Sequence, residues 1–138
     1  MCIFCKIISG EIPSYKVYED EKVLAFLDIR PINPGHTLII PKNHYANLSE
    51  IPEDELTDLI LKVKKLAALL VKKLNFSDYT ISENNGPLSG QSVAHFHFHI
   101  IPRFENDILT NWDHKEHRVG EREYGPGEAE EIIKKINA

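Results

Sequence analysis

The longest periodic stretch of the chain is the apolar series Leu56, Leu59, Ile60, Val63, Leu66, Ala67, Leu70 and Leu74, spaced by threes and fours. That spacing gathers the residues on one stripe and predicts an amphipathic helix of about five to six turns. Pro52 with Glu53, Asp54 and Glu55 marks its start, and Lys72 and Lys73 lie near its end, each charge where the macrodipole favours it. Core and partner packing, not chemistry, is the role this helix predicts. Shorter β-rich runs predict strands at residues 16–19 and 23–28, around the polar turn Asp20-Glu21-Lys22, and again at 36–41 and 79–83. Arg30-Pro31-Ile32-Asn33-Pro34-Gly35 reads as a loop, because two prolines and a glycine interrupt any ladder. Residues 128–137 predict a short C-terminal helix. Strands grouped around one long helix, without regular β-α alternation, predict an α+β fold with a mostly antiparallel sheet.

One alternation carries chemistry as well as structure. Residues 95 to 99 read His-Phe-His-Phe-His and continue through Ile100 to Pro102-Arg103. On a strand His95, His97 and His99 would project from one face, while Phe96, Phe98 and Ile100 would enter a core. Three imidazoles on one surface are costly to explain as packing. They suit either metal ligation or chemistry at a charged centre near neutral pH. The preceding loop, residues 84–92, contains two glycines and several small polar residues. Its composition fits a plain hairpin connection, but it also allows backbone N–H groups to converge on an anion. Its position directly before the histidines favours a phosphate cradle, with Ser92 adding a hydroxyl and Asn84 and Gln91 adding amides.

Composition narrows the field. The 138 residues form one domain, 42% hydrophobic and 27% charged, which is a soluble globular balance. Sixteen Lys+Arg against twenty-one Asp+Glu leave a net charge of −5, which argues against a broad basic face for duplex nucleic acid. Ile3, Phe4, Ile7 and Ile8 are too few and too interrupted for a secretory signal, and no apolar run reaches membrane-spanning length. An intracellular, cytoplasmic protein is expected. Both cysteines fall in Cys2-Ile3-Phe4-Cys5, which reads as half a zinc site or a redox pair rather than a disulfide framework. The redox reading is the weaker, because such a pair normally follows a strand and here it starts the chain.

Gly90-Gln91-Ser92-Val93-Ala94-His95-Phe96-His97-Phe98-His99-Ile100-Ile101 resembles the signature of the histidine triad superfamily, in which three histidines alternate with apolar residues. Ile3-Phe4-Cys5-Lys6-Ile7-Ile8 with Glu11-Ile12-Pro13, Ala25 to Ile29, and Gly35 to His44 match in order and spacing as well. The resemblance covers residues 2–103 of a single domain; the tail, residues 104–138, varies between branches of the family. It implies a two-step reaction at the α-phosphorus of an adenine (purine) nucleotide. His97 would attack to form a covalent nucleotidyl-imidazole, and water or another acceptor would then take the nucleoside monophosphate. Ser92, the Gly90 loop amides and His99 would stabilise the phosphoryl oxygens. His36 would orient the triad, and Asp28 would bind the ribose hydroxyls. Phe4, Ile7, Phe26 and Ile29 match the apolar cleft for the base, Asn84 matches a phosphate or leaving-group contact, and Gln91 belongs to the same loop. In the zinc-carrying branch Cys2, Cys5, His44 and His95 would form a closed, structural Cys₂His₂ site. Family members commonly dimerise through the long helix and an edge strand, so a homodimer is expected. His114 and His117 read as solvated surface residues.

Four readings compete. The first is a hydrolase releasing AMP from phosphoramidates or dinucleoside polyphosphates. The second is a nucleotide phosphorylase or transferase with a non-water acceptor. A non-catalytic nucleotide-binding module is third, and intact His97 and His99 argue against it. A catalytic metal site on the three histidines comes last, because the neighbouring loop is suited to an anion.

Overall fold

The computed structural model describes residues 2–109 and 122–138; His114 and His117 lie outside the described residues. The elements run α1 (Ile3–Ser9), β1 (Lys16–Glu19), β2 (Val23–Leu27), β3 (Thr37–Pro41), α2 (Glu53–Leu74), β4 (Asp78–Glu83), β5 (Phe98–Arg103) and α3 (Glu128–Ile136). All five strands join one antiparallel sheet in the order β1-β2-β3-β5-β4, so the expected α+β class is found. No helix among the described residues is long and apolar enough to cross a membrane.

Every residue of β2 and β3 is buried, because both faces of the sheet are covered. Alternate side chains divide between two cores, as the pleat requires. Val23, Ala25, Leu27 and Ile39 pack against Leu59, Val63, Leu66, Ala67 and Leu70 of α2, with Ala129, Ile132 and Ile136 of α3. On the opposite face Leu24, Phe26, Leu38 and Ile40 pack against Phe4 and Ile7 of α1. Phe96 and Ile100 belong to the α2 face. Leu38 pairs with His99 across the β3–β5 ladder, so His99 shares the α1 face.

Three features add to the sequence reading or depart from it. The N-terminal residues form a helix, α1, that the sequence pattern does not announce. Seven residues are too short to hold a helix alone. Burial of Phe4 and Ile7 contributes about 1.5–3 kcal/mol each, and both ends are capped. The Cys2 sulfur accepts from the Cys5 N–H at 3.2 Å, and Gly10 ends the helix in the left-handed region. Second, the histidine segment is not a strand throughout. The β5 ladder starts at Phe98, and residues 95–97 approach it without ladder bonds, with the Phe96 N–H donating to the Tyr45 carbonyl at 2.6 Å. Inward and outward positions still alternate. Third, β2 ends at Leu27, β3 begins at Thr37, β4 begins at Asp78 and α3 ends at Ile136, each one residue from the expected limit.

Residues 28–36 connect β2 to β3 and are closed by Asp28 N–H to the His36 carbonyl at 2.9 Å and His36 N–H to the Asn33 carbonyl at 3.0 Å. Gly35 permits this path. Its φ is +92°, and a β-carbon there would meet Leu74 Cδ1 at 2.8 Å and Pro102 Cγ at 3.3 Å. Gly35→Ala is therefore expected to destabilise the fold by roughly 1–3 kcal/mol, read as a lower midpoint in urea denaturation. An unchanged midpoint would contradict this account of the loop.

Candidate active site and metal centre

A cavity of about 600 Å³ opens on the α1 face of the sheet. Phe4 and Ile7 from α1, Phe26 from β2, and Asp28 and Ile29 from the following loop line it. So do His36 before β3, Gly90, Ser92 and Val93 from the glycine loop, and His97 and His99. Residues from five separate stretches of the chain thus converge on one apolar slot with a polar end, the usual form of a small-molecule site. Ile3, Ile12, Ile32 and Leu38 also line it, although their sequence context does not single them out for this role. Of these, Ile3, Ile12 and Leu38 lie in matched stretches of the sequence, and the pocket role of Ile3 and Ile12 depends on how α1 docks.

Asn84 and Gln91 stand apart from the other residues expected to bind substrate, since neither lines the cavity. Asn84 donates to the Ser89 carbonyl. Gln91 accepts from the Gly86 N–H at 2.7 Å and donates to the Ala46 carbonyl at 2.6 Å. Both amides shape the glycine loop, which turns at Pro87–Ser89 and passes through Gly90 at φ +96°.

Fixed backbone partners assign the proton on each ring. The nitrogen Nδ1 of His97 lies 2.7 Å from the His95 carbonyl and must donate to it, which leaves Nε2 with a free lone pair. His36 is set the other way. Its Nδ1 accepts from the Ile32 N–H at 3.0 Å, so its proton sits on Nε2. That proton is donated over 2.8 Å to Nδ1 of His99, which places the His99 proton on its own Nε2. One ring therefore offers a nucleophilic lone pair and its neighbour, 4.9 Å away between centroids, offers an N–H. Phe4 packs on His97 in a T-shaped contact at 5.2 Å between centroids.

Burial keeps these rings neutral. It lowers the His97 pKa, against the opposing pull of the His95 carbonyl and the Glu83 carboxylate. His99 is held at about 4 by burial and the His97 charge, and His36 at about 3 by burial and then the His99 and His97 charges. The contact of His36 Nε2 with Asp28 Oδ2 at 3.7 Å is therefore not an ion pair near neutral pH. Burial also raises the Asp28 pKa, partly offset by the Arg30 N–H that its Oδ1 accepts at 2.9 Å and by the Arg30 charge.

The donor atoms of Asp28, His36 and His99 lie within 4.8 Å of one another. They nevertheless form a poor metal cage. A metal on Nε2 of neutral His36 would move its proton to Nδ1, where it would meet the Ile32 N–H.

His95 faces a different way. Its Nε2 donates to the Pro41 carbonyl at 2.8 Å, which leaves Nδ1 as a lone pair directed toward Cys2, Cys5 and His44. The six separations among the four donor atoms run from 3.1 to 3.7 Å. A tetrahedral zinc with Zn–S of about 2.3 Å and Zn–N of about 2.0–2.1 Å requires edges of roughly 3.3–3.8 Å. The donor set and its size fit zinc, with all four positions taken by protein.

The HIT domain family model matches residues 9–106. The chain belongs to the HIT family. An uncharacterized HIT-like protein of Methanocaldococcus jannaschii is 62% identical over 107 residues, covering 78% of this chain and 82% of that protein. The adenosine 5′-monophosphoramidase HNT1 of Candida albicans is 50% identical over 106 residues, covering 74% and 70% of the two chains. Among solved structures, a zinc-bound histidine triad family protein from Mycobacterium smegmatis has a TM-score of 0.76 at 30% identity, covering 99% of this HIT chain and 93% of its own.

The low pKa values of His36 and His99 fix the sign of a stability dependence. Their ordinary value is 6.5, so between about pH 4 and 6.5 the unfolded chain binds more protons than the folded one. The contribution of these two rings to stability then rises with pH across that window and levels off above it. Urea denaturation is expected to give lower stability at about pH 5 than at about pH 7.5, with a smaller difference in His99→Gln. An identical difference in wild type and variant would show that His99 is not held neutral by the fold.

Proposed function

We propose that this HIT protein is a nucleotidyl-transferring hydrolase that releases AMP, with phosphoramidates the first substrates to test and dinucleoside polyphosphates the next. The observation that carries the reading is the His97 ring. Its Nδ1–H is tied to the His95 carbonyl, and its Nε2 lone pair stands at the polar end of an apolar slot. The phosphoramidase name borne by the Candida relative supports the substrate class.

In the first step His97 Nε2 attacks the α-phosphorus and the bond to the leaving group breaks. A buried neutral imidazole serves as nucleophile without a separate base. The His99 N–H and the Gly90–Ser92 loop face the phosphoryl oxygens as charge builds on them, and a preset donor of this kind is worth on the order of 3 kcal/mol. Asp28 takes the ribose hydroxyls, while Phe4, Ile7, Phe26 and Ile29 enclose the base. Water then attacks the phosphorus, and the P–N bond to His97 breaks to restore the ring. Asn84 and Gln91 act here by shaping the loop.

Cys2, Cys5, His44 and His95 would hold a structural zinc, which supplies cross-linking between α1 and the sheet. The open groove along β4, beside Tyr79 and Phe104, and the exposed Ile60 and Leu61 of α2 support a homodimer that extends the sheet at its free edge.

Release of AMP from an adenosine phosphoramidate, diadenosine tri- and tetraphosphate and adenylyl sulfate tests the activity. His97→Ala is expected to lower kcat by at least about 10³-fold while AMP still binds. Equal rates in the two proteins would remove His97 as nucleophile, and release from none of the panel would sink the hydrolase reading. For the metal, Cys5→Ser is expected to lose bound zinc by elemental analysis and to drop Tm by roughly 5–10 °C, corresponding to about 2 kcal/mol or more. Zinc-free protein whose melting ignores chelators would dispose of the structural site.

A further inference from the structure

The Asn33 side chain has no part in the proposed chemistry, yet it is buried and its amide nitrogen donates twice. Its Nδ2 donates to the Pro102 carbonyl at 2.8 Å and to Asp107 Oδ2 at 2.9 Å. Asp107 is itself fixed. Arg103 grips both of its oxygens at 2.9 and 3.0 Å, and the Phe104 and Leu109 N–H groups donate to it at 2.9 and 3.0 Å. Arg103 also donates to Thr80 Oγ1 of β4 at 3.0 Å, so the anchor reaches the edge of the sheet.

On its backbone side Asn33 belongs to the turn that holds His36. Its carbonyl accepts the His36 N–H, and the residue before it, Ile32, donates its N–H to His36 Nδ1. Pro31 and Pro34 flank this pair and have no N–H to give, so the turn has few backbone bonds of its own. Asn33 supplies its attachment to the end of β5 from within the buried interior.

We propose that Asn33 is a positioning residue that fixes the proton on Nε2 of His36 and, through the His36–His99 hydrogen bond, the proton on Nε2 of His99. The consequence for turnover rests on the active-site reading above; the proton placement does not. The two tautomers of a free imidazole are close in energy, so a single backbone donor decides between them. Without the Ile32 N–H, a proton on His36 Nδ1 becomes available. Its Nε2 is then a lone pair facing His99 Nδ1 at 2.8 Å, and that contact survives only if His99 shifts its own proton to Nδ1. The His99 group facing a phosphoryl oxygen then changes from donor to acceptor.

Ring-nitrogen NMR of the full, zinc-loaded chain reads the proton positions directly and without substrate. The wild type is expected to show Nε2–H on His36 and His99. Asn33→Ala is expected to give mixed tautomers at both rings, with kcat for AMP release down about tenfold or more and KM changed less than about threefold. A folded Asn33→Ala protein with the wild-type ring pattern would overturn the proposal, even if its Tm had fallen, since Asn33 would then be only structural. Should that variant not fold, Asp107→Asn decides: a partial shift of the same rings supports the proposal, and an unchanged pattern overturns it. Absence of AMP release from the wild type would defeat the proposed function alone, because the ring protons are read without turnover.

Discussion

Two central strands buried on both faces set the terms for everything else in this fold. The alternating residues of β2 and β3 must each meet a cover, and the two covers differ in kind. The long α2, with α3 beside it, closes one face with a continuous apolar stripe. Among the described residues the other face receives the two turns of α1 with Ile12 and Val93 beside them, and part of it stays open as the cavity. The site exists where the second cover runs out. Its apolar floor, Phe26 and Leu38, belongs to the cluster that also holds Leu24 and Ile40 and packs against Phe4 and Ile7 of α1.

Polar rings on that face lie too deep for water to satisfy them, and an unpartnered buried polar atom costs roughly 1–3 kcal/mol. Each therefore takes a backbone partner: the His95 carbonyl for His97, the Pro41 carbonyl for His95, the Ile32 N–H for His36. A neutral imidazole has one proton to place, so satisfying one nitrogen decides what the other can do. Packing and chemistry are thus settled by the same hydrogen bonds. Two carbonyl partners produce two lone pairs, one toward the sulfurs and one toward the cavity. The single N–H partner produces a donor, which His99 passes on to the cavity.

The fold is largely legible in the sequence because its signals are periodic. The α2 stripe and the His-Phe-His-Phe-His alternation each repeat often enough to declare a face. Residues 95–97 read as strand because alternation marks which side a residue faces, not whether its backbone has a ladder partner. Helix α1 escapes a sequence reading for the opposite reason. Phe4, Ile7 and Ile8 do have helical spacing, but two turns lie below the length at which periodicity is persuasive. The cavity-facing residues carried by the family resemblance come together, whereas Asn84 and Gln91 turn inward on their loop. An amide in a polar loop has the same composition whether it faces a ligand or its own backbone. Asn33 gives no signal at all, since its partners Pro102 and Asp107 are distant in sequence.

His95 of the proposed metal site and His97, the proposed nucleophile, are two residues apart, and this closeness has a mechanical meaning. His95 is held at both ring nitrogens, by the Pro41 carbonyl on one side and the cysteine cluster on the other. Its carbonyl is the group that orients His97. Phe4 packs on both rings, at 5.9 Å from His95 and 5.2 Å from His97, and it sits between Cys2 and Cys5 on α1. Fixing the four donors would therefore fix the carbonyl and the Phe4 ring that orient His97. Cross-linking of α1 by a metal at these donors and placement of the His97 ring would then be one structural event, although none of the four donors lines the cavity.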